Sequence, residues 1–215
     1  MALTLISSHN ITSAVSSLEI TSGLDSTYDL YEFHCYNLVT GTAWDGKWSV
    51  QFNAASGSNT SGFDQVITSA VTYANHNESG SSLGWSFKNS WDESSGTNTN
   101  MMSLHNETVY QSLTRGQYSD TSGNDGYTPD PTDYLVPDGT GCGIFKLYNP
   151  SSSTYVKHFT SDFNCMGGVK TAANIHTFHG QVSGYVNTTE PIDEIKFYYH
   201  NGTWGSGTVY MYGVS

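Results

Sequence analysis

The side chains with the chemistry to act are histidines, aspartates, carboxylates on apparent strands, and tryptophans. His176 and His179 stand three apart in HTFH. That spacing puts two imidazoles on one side of a helix but on opposite faces of a strand, so hydrogen-bonded or solvated histidines fit a strand better than metal ligands. Asp120, Asp125, Asp130, Asp133 and Asp138 supply oxygen atoms of the kind Ca²⁺ accepts. They lack the spacing of an EF-hand, and Asp is also a common turn residue. No GxSxG nucleophile elbow occurs. Glu19, Asp29, Glu32 and Glu194 fall on alternating segments, but a glycosidase needs two carboxylates facing each other across a cleft, and no local spacing encodes that. Trp44, Trp85, Trp91 and Trp204 lie in or near polar stretches, where aromatic rings serve as platforms for sugars or proteins or cap the ends of a sheet. The pattern is that of a binding or structural protein: no catalytic residue, metal site or cofactor is expected. The binding candidates are Trp85, Trp91, Asp125, Asp130 and Asp133.

Bulk composition narrows the partners. Seven Lys and Arg against 19 Asp and Glu give a formal charge of -12, which repels nucleic acid and anionic lipid. Charged residues are only 12% of the chain and aromatics 13%, with Ser, Thr, Asn and Gly filling the rest. A chain so rich in aromatics is not a disordered one; it suits a β-sandwich with polar outer faces. Cys35, Cys142 and Cys165 have no finger spacing and form an odd set, so buried free thiols are expected rather than zinc ligands or a disulfide framework. MALTLISSHN has neither the basic start nor the apolar run of a secretory signal, so synthesis in a cytoplasm is expected. No apolar window reaches the length of a membrane helix.

The elements that must position these side chains read as strands. In GIFKLYNPSSSTYVKHF, residues 143–159, a period of two flanks the turn-forming NPSSS, which predicts a hairpin. Its inner face is expected to carry Phe145 and Leu147, with either the Tyr155–Phe159 or the Val156–His158 set opposite. Leu3 and Leu5, then Leu18 and Ile20, mark two short strands. Tyr28–Tyr36 sets Tyr31, Phe33 and Cys35 on one face and Leu30, Glu32 and His34 on the other. Trp48, Val50 and Phe52 form a one-sided strand with Lys47, Ser49 and Gln51 toward water. Val66–Tyr73, His176–Val186, Ile195–Tyr199 and Thr208–Val214 complete the set, and Tyr110–Leu113 fits a strand or a helical turn. Residues 40–46, 160–174 and 201–207 read as connections, 116–143 as a long loop, and 75–106 as short strands in long loops. No helical periodicity interrupts the series. Many short strands without helices predict one antiparallel β-sandwich over residues 1–215, jelly-roll-like, with long loops.

Three stretches carry a resemblance: MALTLISS with LEITSGLDSTYDLYEF at 18–33, LYNPSSSTYVKHF at 147–159, and GYVNTTEPIDEIKFYYHNGTWGSGTVYMYGV at 184–214. Their order resembles a family of virion structural proteins from tailed phages, especially marine ones. The resemblance implies a non-enzymatic β-sandwich on the particle surface, as a capsid decoration (cement) protein or a tail-fibre component. Other virion proteins would be its partners, and assembly as a homo-oligomer, a trimer by analogy, is implied. Nucleic acid and membrane are not expected as partners. The alternative is a carbohydrate-binding module at a fibre tip that recognises a host surface glycan through the loops of 75–106 and 116–143.

Overall fold

A computed structural model describes residues 2–54, 62–77, 83–88, 103–108, 110–114, 140–168 and 175–215. Every regular element in them is a strand: β1 (Leu3–Ile11), β2 (Ser17–Ile20), β3 (Leu30–Ala54), β4 (Ile67–Asn77), β5 (Leu83–Lys88), β6 (His105–Glu107), β7 (Gln111–Ser112), β8 (Gly141–Tyr148), β9 (Lys157–Gly168), β10 (Ile175–Val186) and β11 (Ile192–Val214). All pairs are antiparallel. No helix of the described residues is long and apolar enough to cross a membrane.

Two long strands generate the layers. The first part of β3 pairs with β8 and with the end of β11, whereas its last part pairs with β7 and with the start of β11. The start of β11 also pairs with β2, and its end pairs with β1. Counting each half of β3 and β11 as a strand gives two sheets, β1–β11–β3–β8 and β2–β11–β3–β7. First beside last in one sheet, and second beside the last but one in the other, is the strand order of a jelly roll. The first sheet continues past β8 through β9, β10, β4 and β5, which makes it eight strands wide.

Aromatic side chains in tilted and edge-on contact fill the space between the sheets. Phe33, Phe145 and Phe159 of the larger sheet meet Phe52 and Phe197 of the smaller one, with ring centroids 5.5 Å apart for Phe33–Phe197, 6.0 Å for Phe52–Phe145 and 5.8 Å for Phe52–Phe159. Tyr31, Val50, Leu147, Ile195 and Val209 are fully buried beside them. The all-β, antiparallel sandwich expected from the period of two is therefore what forms.

The hairpin at its centre is β8 and β9. Asn149 takes a left-handed conformation (φ 48), which Asn tolerates better than most residues. Its N–H donates to the Asp29 carbonyl at 2.5 Å, and the Pro150 carbonyl accepts from Ile192 N–H at 2.8 Å, so the turn is tied to both neighbouring chains. Phe159 is buried and Tyr155 is 71% exposed, because β9 starts only at Lys157 and Tyr155 belongs to the turn. Gly143 is there for closeness: a Cβ on it would lie 2.4 Å from the Asp162 carbonyl oxygen and 2.5 Å from the Phe163 ring.

Several expectations are corrected. Residues 40–46 and 201–207 are not connections; they pair with each other as the middles of β3 and β11, through register shifts at His200/Gly202, Thr203/Trp204, Trp204/Ser206 and Ser206/Thr208. Glycine and serine permit these bulges, where both strands pass from one sheet to the other. Residues 160–168 are strand rather than loop, with Ser161, Phe163 and Cys165 inward and Asp162 and Asn164 outward. Cys142 is exposed, whereas Cys35 and Cys165 are buried. Ser49 and Gln51 do not face water; they are buried. The chain returns over that face of the smaller sheet: Gln51 Nε2 donates to the Thr108 carbonyl at 3.0 Å, Tyr110 stacks on Tyr198 at 4.4 Å, and Lys196 Nζ lies 5.3 Å from the Phe63 ring centre.

Candidate functional site

The outer face of the eight-stranded sheet carries the candidate site. A strand buried on one side offers every second residue to the other. On that face β3 presents Glu32, His34 and Tyr36; β8 presents Ile144, Lys146 and Tyr148; β9 presents Thr160, Asp162 and Asn164; and β10 presents Thr177, His179, Gln181 and Ser183. Register aligns them into rows across the sheet. One runs Tyr212, Glu32, Lys146, Thr160, Ser183; the next runs Tyr210, His34, Ile144, Asp162, Gln181, Thr72.

Two hydrogen-bonded relays fix the charged members. Glu32 Oε1 accepts from Lys146 Nζ at 2.8 Å, and Glu32 Oε2 lies 2.8 Å from His34 Nε2. Burial raises the Glu32 pKa, but the bonds to Lys146 and His34 outweigh it and hold the carboxyl below its ordinary value. Its bond to Glu32 in turn holds the Lys146 ammonium above its ordinary value. Asp162 Oδ1 lies 2.9 Å from His179 Nε2, and Oδ2 accepts from Gln181 Nε2 at 3.1 Å. There too desolvation pushes upward, and the bonds from Gln181 and His179 win, leaving Asp162 below its ordinary value. With a carboxylate oxygen as partner, His179 Nε2 must carry the proton. Aromatic rings line one flank: His34 lies 4.9 Å from Tyr212, and Tyr36 lies 5.9 Å from Tyr210.

Between these relays the short side chains of Thr72, Thr160 and Ser183 leave a hollow of ≈ 570 Å³, edged by Ile144, Lys146, Asp162 and Gln181. A second hollow of ≈ 440 Å³ lies beyond it, lined by Ala74, Asn75, His76, Gly84, Asn164, Thr177 and His179. The Asp162–His179 pair forms the wall they share.

No known protein family, curated protein or solved structure matches this chain. The chemistry of the site is therefore read from its own geometry. Both carboxylates are held ionised, so neither has the raised pKa that a glycosidase proton donor uses. Among the described residues, no three His, Cys, Asp or Glu side chains converge as metal ligands do. What the face offers is fixed donors and acceptors beside exposed rings, which is recognition chemistry.

Of the residues singled out from sequence, Trp85 stands on β5 opposite Ala74 of β4. Trp91, Asp125, Asp130 and Asp133 lie outside the described residues. Trp204 is not a platform; it is 1% exposed, packed at 6.2 Å on Tyr199 between the layers. His179 lies in a strand, as expected for His176–Val186, and its partner is Asp162. Lys146, Asp162 and Gln181 were missed because they reach the site from three strands. The available signal was polar residues at alternate positions, clear along β9 and β10 and interrupted by Ile144 in β8.

Proposed function

We propose that this chain is a non-enzymatic structural protein on the surface of a tailed-phage particle, a capsid decoration protein or a tail-fibre component. The observation that carries the proposal is the strand order. A jelly roll of two antiparallel sheets is a recurrent architecture of viral capsid domains. The order and content of the 18–33, 147–159 and 184–214 stretches point the same way, and in the fold they supply much of the core: Phe33, Leu147, Phe159, Ile195 and Met211.

The partners of such a protein are other virion proteins and further copies of itself, a trimer by analogy with the family it resembles, and its place is the assembled particle. Acidity fits that setting, since a formal charge of -12 favours solubility before assembly and disfavours binding to packaged nucleic acid. The test is quantitative mass spectrometry of purified particles separated into heads and tails. A structural role predicts this chain in one fraction at a copy number comparable to that of known surface components. Absence from both fractions, or trace amounts removed by a salt wash, would refute the role.

A further inference from the structure

We propose that the outer face of the eight-stranded sheet is a binding site for neutral oligosaccharides, centred on Asp162, Gln181 and Lys146. This goes beyond a structural role on a particle and does not depend on one.

Four observations lead to it. The first is shape. The two hollows, ≈ 570 Å³ and ≈ 440 Å³, adjoin across Asp162 and His179 and together cross β8, β9, β10, β4 and β5. Four inter-strand gaps of ~4.8 Å make a shallow trough roughly 19 Å long, which suits an oligosaccharide lying across the strands rather than one enclosed small molecule.

The second is hydrogen bonding. Asp162 accepts one bond on each oxygen, and a carboxylate oxygen has a further lone pair to offer. Lys146 spends one bond on Glu32 and carries three N–H groups. Sugar hydroxyls donate and accept at once, so they suit a floor with both kinds of group. These side chains stand on paired strands and are already held by neighbours, so little order remains to be imposed on binding.

The third is charge. Lys146 answers Glu32 and His179 faces Asp162, so among the described residues of the trough no lysine or arginine is left without a carboxylate partner to hold a sulfate, sialate or phosphate. The surrounding chain, at -12, repels polyanions. Both disfavour anionic glycans, and the ligand class proposed is the neutral one.

The fourth is apolar contact. Ile144 opposes Asp162 in register, and the His179 side chain is 44% exposed, giving C–H faces of a sugar ring something to rest on. The first hollow is otherwise walled mainly by Thr, Ser and Gln, and the second adds Ala74 and Gly84 beside Asn75, Asn164 and His76, so apolar surface for a ring lies next to polar groups.

The test uses the full chain and an array of neutral glucose, galactose and mannose oligosaccharides, displayed beside sulfated and sialylated ones. The best neutral binder is then titrated by NMR against wild type, Asp162→Ala, Gln181→Ala and Tyr155→Ala. Asp162 and Gln181 are exposed, so both variants should fold, and far-UV circular dichroism checks this. Binding of a neutral oligosaccharide is expected, with at least tenfold weakening in Asp162→Ala and in Gln181→Ala, as loss of a charge-assisted or paired hydrogen bond gives. Tyr155→Ala, in the turn after β8, should bind like wild type within about twofold, well under the 1.4 kcal/mol of a tenfold change. Binding only to charged glycans, binding unchanged by both trough variants, equal loss in Tyr155→Ala, or no binding at about 10 mM ligand, where even a Kd of ~1 mM would register, would each overturn the proposal.

Discussion

Truncating Phe145 tests the sandwich at its centre. The side chain is fully buried, and its ring touches four others: Phe33 at 6.1 Å, Phe52 at 6.0 Å, Phe159 at 5.5 Å and Phe197 at 6.1 Å. Two of those partners, Phe52 and Phe197, belong to the opposite sheet. Phe145→Ala therefore removes a contact that joins the layers, and tightly paired β-strands around it leave little room for collapse. Large-to-small changes of this kind cost ~3–5 kcal/mol, transfer and cavity together. The aromatic pairs, ~0.5–1.5 kcal/mol each and not additive, place the cost toward the upper end, ~4 kcal/mol. At ~2–4 °C per kcal/mol for a domain of this size, the thermal midpoint should fall by roughly 8–16 °C. Circular dichroism melts would measure it, with Tyr155→Ala on the exposed turn as a control that stays within about 2 °C. Phe145→Leu keeps most of the bulk and should cost ~1.5 kcal/mol or less, so the series can be read even if the alanine variant does not fold. A fall of less than about 3 °C for Phe145→Ala would show that this ring is not clamped between two sheets.

Three further outcomes follow from the same geometry. Cys142 is exposed while Cys35 and Cys165 are buried, and burial pushes the Cys165 thiol up to about 12. One thiol per chain should react quickly with an aromatic disulfide reagent in the native state and three after denaturation; three fast thiols in the native state would contradict the burial. Glu32 and Asp162 both have lowered pKa values in the folded chain, so their bonds stabilise it above the unfolded values of about 4 and that contribution disappears as pH falls through and below them. Melts from pH 6 to pH 3 should show a falling midpoint whose slope is reduced in Glu32→Gln, and an identical slope in that variant would dismiss the relay. Gly143→Ala should destabilise by ~1–3 kcal/mol, because its Cβ would sit 2.4 Å from a backbone carbonyl that paired strands hold in place; a urea midpoint equal to wild type would mean the two strands lie farther apart.

The strands were legible wherever apolar side chains alternate with polar ones, as in Tyr31, Phe33 and Cys35 or Phe145 and Leu147, because one buried face forces a period of two. Two kinds of segment hid. At 40–46 and 201–207, glycine and serine read as turns, yet a bulged strand that changes sheets uses the same residues for the same conformational freedom. At 160–168, only Phe163 and Cys165 mark the inner face, and the threonine, serine and aspartate around them read as loop. Ser49 and Gln51 looked solvated because the residues over that face, Thr108 and Tyr110, lie far along the chain. The site was hidden for a related reason. Asp162 meets His179 and Gln181 only through the register of β9 on β10, so no spacing within either strand announces the pair. The tryptophans drew attention as rings in or near polar stretches, and Trp204 proved to be core.

The most direct measurement is a cryo-EM reconstruction of the purified particle, at a resolution that separates strands. Density on the outer surface of head or fibre should accommodate two packed sheets in the β1–β11–β3–β8 and β2–β11–β3–β7 order, with the larger sheet widened by β9, β10, β4 and β5. A surface fully accounted for by other chains, with no density of this topology on head or tail, would contradict the role proposed for this protein.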